Sequence, residues 1–310
     1  MPELPDIELY LHALRPRIVG QRLQGIRLAS PFLVRSVDPP IAVADGKLVT
    51  GLRRLGKRVV WEMEDALFLV IHLMIAGRFR WKDSGAKVPG KLGLAAFDFP
   101  NGTLLLTEAG SQRRAALHLV RGEPALADLD PGGLEVLGST ATEFASMLTR
   151  ENHTLKRSLT DPHFFSGIGN AYSDEILHAA KLSPMQLTSR LTPDEIASLH
   201  GQVVAVLTKW RAVLIAETGA GFPEKVTAFR EGMAAHGKFG KPCPTCGTPI
   251  QRIKYASNEA NYCPTCQTGG KLLADRGLSR LLKGDWPKSL EELDRRIGDQ
   301  KHVLQKPKND

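Results

Sequence analysis

The spacing of apolar residues separates an early part of the chain with strand-like patterns from a later part with helical ones. Over residues 6–19 apolar positions recur every three or four residues, which predicts a helix with Asp6 in its first turn. Short apolar runs separated by Gly, Pro, Asn and Asp then predict strands. The predicted strands cover residues 23–28, 48–52, 59–63, 67–73, 94–99 and 103–106. Six or more short strands of this kind indicate a β-sandwich or barrel.

The second half of the chain has the period of helices. Residues 123–138 contain Pro124, Pro131 and a Gly-Gly pair, which is typical of a linker. Helical spacing follows over residues 141–150, 171–180 and 193–217, with a turn over 163–169. Residues 267–310 form a tail with ten basic and seven acidic residues, with further helices predicted near 271–283 and 289–297 and a disordered end.

These patterns predict a multidomain α+β protein. The predicted parts are a helix and β-sandwich at 1–125, a linker at 126–138, a helical domain at 139–235, a four-cysteine hairpin at 236–268 and a basic tail at 269–310. Such a division agrees with a chain of 310 residues, because domains usually have about 100–200 residues.

Composition and charge narrow the class of protein. With 42% apolar and 24% charged residues, the chain is neither disordered nor fibrous. No apolar run reaches the roughly 18 residues of a membrane span, since His72 interrupts the strongest one. Acids near the start argue against a secretory signal, so we expect a soluble, cytoplasmic, nucleoid-associated protein. A net charge of +8 favours a polyanionic partner such as nucleic acid.

Four cysteines form a metal-binding pattern. They are spaced C-x2-C, sixteen residues, C-x2-C, at Cys243, Cys246, Cys263 and Cys266. This spacing is typical of one Zn²⁺ ion, and four thiolates leave no open position, so the ion would be structural. Two disulfides or two thioredoxin-like pairs are the alternatives, which an intracellular chain and the lack of a surrounding βαβ pattern disfavour. Arg252 and Lys254 add positive charge to the hairpin.

The N-terminus offers a nucleophile. A small second residue permits removal of Met1, which would expose the secondary amine of Pro2. An α-amine has a pKa of about 7.7–8.0, so part of it is unprotonated near neutrality. Attack on a sugar C1′ would give an iminium that acidifies the C2′ hydrogen and permits phosphate elimination, with Glu3 as general acid and base. The alternative is that Pro and acids stand here for helix capping alone.

Two further motifs are candidates for contact with phosphate. Lys57 lies in RRLGKR on a predicted strand, where the alternative is a solvated basic face. In GIGNAYSDEIL, two glycines and Asn170 precede a helix whose free N–H groups can hold a phosphate. The alternative for that motif is an ordinary N-cap.

Together these motifs resemble one family. MPELPDIE, RRLGKR, IHLMIAGRF, TLKRSLTD, GIGNAYSDEILHAAKLSP and the four-cysteine hairpin stand in the order found in the formamidopyrimidine-DNA glycosylase and endonuclease VIII family of base-excision repair enzymes. The resemblance implies an N-terminal helix plus β-sandwich, a helix-two-turn-helix domain with a zinc β-hairpin, and DNA bound in the cleft between them. It also implies a monomer that acts on double-stranded DNA containing damaged bases or abasic sites.

The resemblance also implies roles for individual residues. Pro2 would be the nucleophile, Glu3 the acid that opens the sugar ring, and Lys57 an assistant in elimination. The residues expected to grip the phosphates that flank the target nucleotide are His72, Lys156 and Asn170. The activity implied is that of a bifunctional DNA glycosylase and abasic-site lyase that cleaves the strand by β(δ)-elimination.

The sequence departs from the family pattern at two DNA-contacting places. Met74 and Ile75 stand where a wedge enters the DNA stack, and the later SQRRAA segment keeps Arg113 and Arg114 but has alanines where the family carries a Phe. At the hairpin tip Asn258 replaces an Arg, so Arg252 or Lys254 would have to substitute. These departures leave open a catalytically impaired DNA-lesion-binding protein and, as a weaker alternative, an RNA-binding zinc-ribbon protein.

Overall fold

The computed structural model describes residues 1–110, 112–255, 258–274, 287–293 and 295–296. These residues fall into two compact units. Unit one consists of Met1–Met147, Asp161–Gly169 and Val203–Ala228. Unit two consists of Leu148–Thr160, Asn170–Gln202 and the described residues from Phe229 onward. The domain boundaries given above from the sequence stay a prediction.

Unit one begins with helix α1 (Leu4–Ile18) and contains two four-stranded antiparallel sheets. The first sheet has the order β1-β6-β7-β5 and the second the order β2-β3-β4-β8. The strands are β1 (Gly25–Leu28), β2 (Val49–Leu55), β3 (Arg58–Met63), β4 (Leu67–His72), β5 (Gly77–Lys82), β6 (Gly93–Phe99), β7 (Gly102–Glu108) and β8 (Ala116–Arg121). The prediction of a helix followed by an antiparallel β architecture is confirmed.

Aromatic side chains join the two sheets. The ring of Trp61 on β3 lies 5.1 Å from that of Phe97 and 5.7 Å from that of Phe99, both on β6, and all three residues are fully buried. Such edge-on and tilted aromatic pairs add about 0.5–1.5 kcal/mol beyond the burial of their area. The core of unit one therefore lies between the sheets.

The helices of the later chain are α2 (Glu123–Ala127), α3 (Ala141–Thr149), α4 (Leu155–Thr160), α5 (Asn170–Ala179), α6 (Pro193–Thr218) and α7 (Pro264–Thr268). Three of them, α3, α5 and α6, match the predicted ones, whereas α2, α4 and α7 were not predicted. The short α2 lies inside the stretch that the sequence predicted as a linker. A helix can form there because Pro124 is in its first turn, where the missing N–H would have no intrahelical partner. Among the described residues no helix is both long and apolar enough to span a bilayer.

The four-cysteine segment folds as a hairpin in unit two. Strand β9 (Gln251–Tyr255) pairs antiparallel with β10 (Asn258–Tyr262), and Asn258 stands opposite Tyr255. In the tail, residues 290–293 are helical, whereas the helix predicted near 271–283 and the chain end fall mostly outside the described residues.

Candidate active site

The Glu3 carboxylate is fixed at the N-terminus of α1. Glu3 is 3% exposed, and its backbone N–H donates to the Asp6 carboxylate at 2.9 Å, which forms the capping box of the helix. The N–H of Gly169 donates to Oε2 of Glu3 at 2.7 Å. A Cβ at Gly169 would lie 2.6 Å from the Glu3 carboxyl carbon, so only glycine allows this approach. The carboxylate is thus held by its own helix and by the glycine-rich GIGN segment.

Two amines share this region of unit one. Burial lowers the pKa of the Met1 α-amine, and the nearby Glu3 carboxylate partly opposes that shift. Burial likewise lowers the pKa of Lys57, again opposed by Glu3. Lys57 lies in the two-residue turn between β2 and β3, so its predicted placement on a strand is wrong: Gly56, with φ +60°, reverses the chain there. Both amines lose their protons more readily than ordinary amines, and unprotonated amines are nucleophiles and bases.

His72 stands at the end of β4, opposite Arg58 on one side and Ala116 on the other. Burial, followed by the positive charges of Arg58, Lys57 and His118, lowers the pKa of His72 to about 4. Its buried Nε2 has no hydrogen-bond partner within the part of the chain that the structure describes. A neutral imidazole nitrogen can either donate or accept a hydrogen bond, depending on which ring nitrogen carries the hydrogen.

The depressed pKa of His72 predicts a pH dependence of stability. The unfolded chain takes up a proton on His72 near pH 6.5, whereas the folded protein does so only near pH 4, so the unfolded state gains protons first as pH falls. As pH falls between these two values, the free energy of unfolding of wild type should therefore decrease more than that of His72→Gln. At lower pH the difference between the two proteins should stay constant. Urea unfolding of both proteins across this range measures the difference, and parallel curves would contradict the prediction.

The predicted wedge and arginine loop both lie in unit one. Met74 has φ +52°, in the left-handed region, and Ile75 after it is 57% exposed, as an intercalating side chain requires. The loop after β7 is held by the buried Glu108, whose carboxylate accepts the N–H groups of Arg114 and Ala115 at 3.0–3.1 Å. Glu108 was not predicted, since a single acid at a strand end has no distinctive pattern.

Each arginine of that loop has a contact of its own. The guanidinium of Arg113 donates to the Lys91 carbonyl at 2.7 Å, and that of Arg114 donates to the Gln112 side chain at 2.5 Å. Ala115, which stands where the family resemblance implies a Phe, is buried. The loop therefore presents two cations and, among its described residues, no aromatic side chain.

In unit two, Lys156 and Asn170 belong to one buried network. The ammonium of Lys156 contacts Asp174 Oδ1 at 2.5 Å and donates to the Asn170 carbonyl at 2.6 Å, and Lys156 is 3% exposed. The other Asp174 oxygen accepts from His236 Nδ1 at 2.8 Å and from Asn261 Nδ2 on β10 at 3.1 Å. Asp174 therefore joins the Lys156 pair to the zinc hairpin, which the sequence did not reveal.

Removing the charge of Asp174 should strongly destabilise the protein. In Asp174→Asn the ammonium of Lys156 stays buried without a carboxylate, and loss of one partner of a buried pair costs about 3 kcal/mol. Urea unfolding should show that decrease in the free energy of unfolding, whereas Glu143→Gln at an exposed helix start should change it little. An unchanged midpoint for Asp174→Asn would show that the pair contributes nothing.

The cysteine cluster fits a tetrahedral metal. The four Sγ atoms all lie within 4.8 Å of one another, and thiolates in this number suit one structural Zn²⁺ ion. On the hairpin, the guanidinium of Arg252 lies 4.2 Å from the Phe239 ring centre, and Lys254 is exposed. Asn258 begins β10, and its side chain lies outside the described part of the structure.

Comparison with protein families matches three consecutive segments. Residues 1–114 match the formamidopyrimidine-DNA glycosylase N-terminal domain, and residues 133–221 match the formamidopyrimidine-DNA glycosylase H2TH domain. Residues 240–269 match the zinc finger found in FPG and IleRS. The three segments follow the order of the motifs described above.

Individual relatives agree with these matches. The formamidopyrimidine-DNA glycosylase of Desulforamulus reducens is 31% identical over 281 residues, which cover 86% of this chain and 99% of the relative. An uncharacterized formamidopyrimidine-DNA glycosylase-like protein of Mycobacterium tuberculosis is 39% identical over 162 residues, 52% of this chain and 99% of that protein.

Solved structures of formamidopyrimidine-DNA glycosylase are also similar to this chain. The Lactococcus lactis enzyme bound non-covalently to DNA with an abasic site has a TM-score of 0.75 and 26% identity, covering 86% of this chain and 99% of its own. A mutant of that enzyme in complex with Fapy-dG DNA also has a TM-score of 0.75, with 27% identity over 86% of this chain and all of its own.

Proposed function

We propose, on the premise that this chain belongs to the formamidopyrimidine-DNA glycosylase family, that it is a bifunctional DNA glycosylase and abasic-site lyase. Its substrate would be duplex DNA that carries oxidised or ring-opened bases. The observation that supports this most is the buried Glu3 carboxylate, which accepts the Gly169 N–H at 2.7 Å and interacts electrostatically with Lys57, an amine of lowered pKa. An acid, an amine that gives up its proton readily and the terminal amine that removal of Met1 would free are the groups that imine chemistry on a sugar requires.

The proposed reaction begins at the Pro2 nitrogen. Once Met1 is removed, the Pro2 nitrogen attacks C1′ of the damaged nucleotide, the bond from C1′ to the base breaks, and the base leaves with a proton. Glu3 protonates the ring oxygen O4′, so the sugar opens and an iminium joins Pro2 to C1′. The iminium acidifies C2′, a base removes that hydrogen, and the 3′ phosphate leaves as the strand breaks. Water then hydrolyses the iminium and regenerates the Pro2 amine.

Other side chains would assist at defined atoms. Lys57, whose lowered pKa leaves more of it unprotonated, would take the C2′ proton or steady the leaving phosphate. His72 would contact a phosphate through its unused Nε2, which is buried here and would have to become exposed when DNA binds. The remaining DNA contacts are proposed for Met74, Ile75, Arg113, Arg114, Lys156, Asn170, Arg252, Lys254 and Asn258. Extrusion of the base costs a few kcal/mol of unstacking, and a lesion lowers that cost.

A lesion-binding protein with impaired cleavage is the second candidate. It is favoured by one specific feature, the replacement of the loop aromatic by Ala115 and Ala116 together with Asn258 in place of an arginine. An Asn offers a neutral hydrogen bond, without the charge and the fork geometry of a guanidinium.

A panel of duplexes with different oxidised and ring-opened bases distinguishes the two. The enzyme should release at least one of these bases and break the strand without heat or alkali, while it leaves undamaged duplex intact. Lesion-specific binding without release of any base would support the second candidate and overturn the first.

A further inference from the structure

A buried histidine contacts the cysteine cluster. His178 lies in the last turn of α5 and is 7% exposed, and Cys243 is 2% exposed. Nε2 of His178 lies 3.2 Å from Sγ of Cys243. The proposed chemistry does not use His178, and the four-cysteine spacing does not include it.

The chemistry of the cluster fixes the direction of this hydrogen bond. A cysteine that binds zinc is a thiolate, which has lone pairs and no proton to give. Nε2 of His178 must therefore carry the hydrogen and donate it to the Cys243 sulfur. Hydrogen bonds to ligand sulfurs are a recognised means by which proteins tune metal sites.

Other side chains of α5 accept hydrogen bonds from the hairpin and from the residues that precede it. Asn170, Asp174 and His178 are four residues apart, so they lie on one face of α5. Asp174 accepts from Asn261 on β10, and the neighbouring Glu175 carboxylate accepts three backbone N–H groups of residues 234–236. His178 is the member of this helix that reaches a metal ligand directly.

We propose that His178 is a positioning residue of the zinc site, which holds the Cys243 thiolate through its Nε2–H and thereby slows loss of the metal. The donated hydrogen bond orients the sulfur and withdraws electron density from it, so the thiolate is less open to protonation and exchange. Groups that support metal ligands in this way typically change metal affinity by 10–100-fold when they are replaced.

The first test follows zinc loss from the full-length zinc-loaded protein to a coloured chelator. His178→Phe keeps an aromatic ring and removes the donor, whereas His178→Gln keeps a side-chain N–H. His12→Phe on the exposed side of α1 is the matched control. Zinc should leave the Phe variant about tenfold faster than wild type, with the Gln variant between them and the control unchanged. Equal rates for wild type and a folded Phe variant would overturn the proposal.

The second test separates the hydrogen bond from packing. In the cobalt-loaded protein the thiolate-to-metal charge-transfer band should move to longer wavelength in the Phe variant and much less in the Gln variant, because the unbonded sulfur lone pairs rise in energy. An unshifted band would assign any faster zinc loss to packing and overturn the proposal.

A third measurement needs no variant, and it applies if His178→Phe fails to fold. Nitrogen-15 NMR of the zinc-loaded wild type should show His178 protonated at Nε2. An imidazole protonated at Nδ1 alone has no hydrogen to donate to Cys243, and that result would also overturn the proposal.

Discussion

Insertion of a leucine between Met1 and Pro2 is expected to reduce strand cleavage at an abasic site by at least about a thousandfold, because loss of a covalent nucleophile can cost on the order of a millionfold in rate. A bulky second residue keeps Met1 in place, so the proline nitrogen stays in a peptide bond. Resonance with the carbonyl then withdraws the lone pair that would attack C1′. The measurement is the single-turnover cleavage rate on a duplex with one abasic site.

The control for this insertion is a leucine added after Asp310, far from the proposed nucleophile in sequence. It should cleave at the wild-type rate, and both proteins should bind the duplex with similar affinity. Wild-type cleavage by the Met1-retaining protein would exclude the amine of Pro2 as the nucleophile.

Glu3→Gln is expected to reduce base excision by about a thousandfold, within the range for loss of a general acid. The amide is nearly the same size, and its carbonyl can still accept the Gly169 N–H that now reaches Oε2 at 2.7 Å. The protein should therefore fold normally and lack only a proton donor. Excision of a lesion from the panel, followed by gel analysis after alkali, measures the loss.

Glu8→Gln is the matched control on the same helix. Glu8 contacts Arg54 at 3.2 Å and has no part in the proposed chemistry, so this variant should excise bases normally. If Glu3→Gln retained full excision, the acid would have to be another group, and the roles given to Glu3 would be wrong.

Most of the strands could be predicted because their sequences alternate between apolar and polar residues or form short apolar runs. β3, β4 and β6 have such runs, and the structure gives them nearly the predicted bounds. β5 was missed because Arg78, Arg80 and Lys82 alternate with Phe79 and Trp81, so the strand contains no continuous apolar run. β8 was missed although its sequence alternates, because it follows the turn-prone SQRRAA segment.

The candidate site was predictable only in part. Pro2, Glu3, Lys57 and Gly169 all stand in recognisable motifs, but the motifs do not show that Gly169 contacts Glu3. The Gly169 N–H that holds Glu3 is 166 residues away along the chain, and His178 is 65 residues from Cys243. Hydrogen bonds over such separations arise from tertiary packing, and no local periodicity encodes them. A lone Glu108 therefore looks like any other acid in the sequence, and the motif that contains Asp174 does not show what Asp174 contacts.

The central claim is that the amine of residue 2 bonds to deoxyribose. Borohydride reduction during reaction with an abasic duplex, followed by proteolysis and mass spectrometry of the adduct, identifies the bonded atom. We expect the sugar on the nitrogen of Pro2 in protein that has lost Met1. An adduct on Lys57 or any other side chain, or no adduct while the strand is still cleaved, would contradict the account.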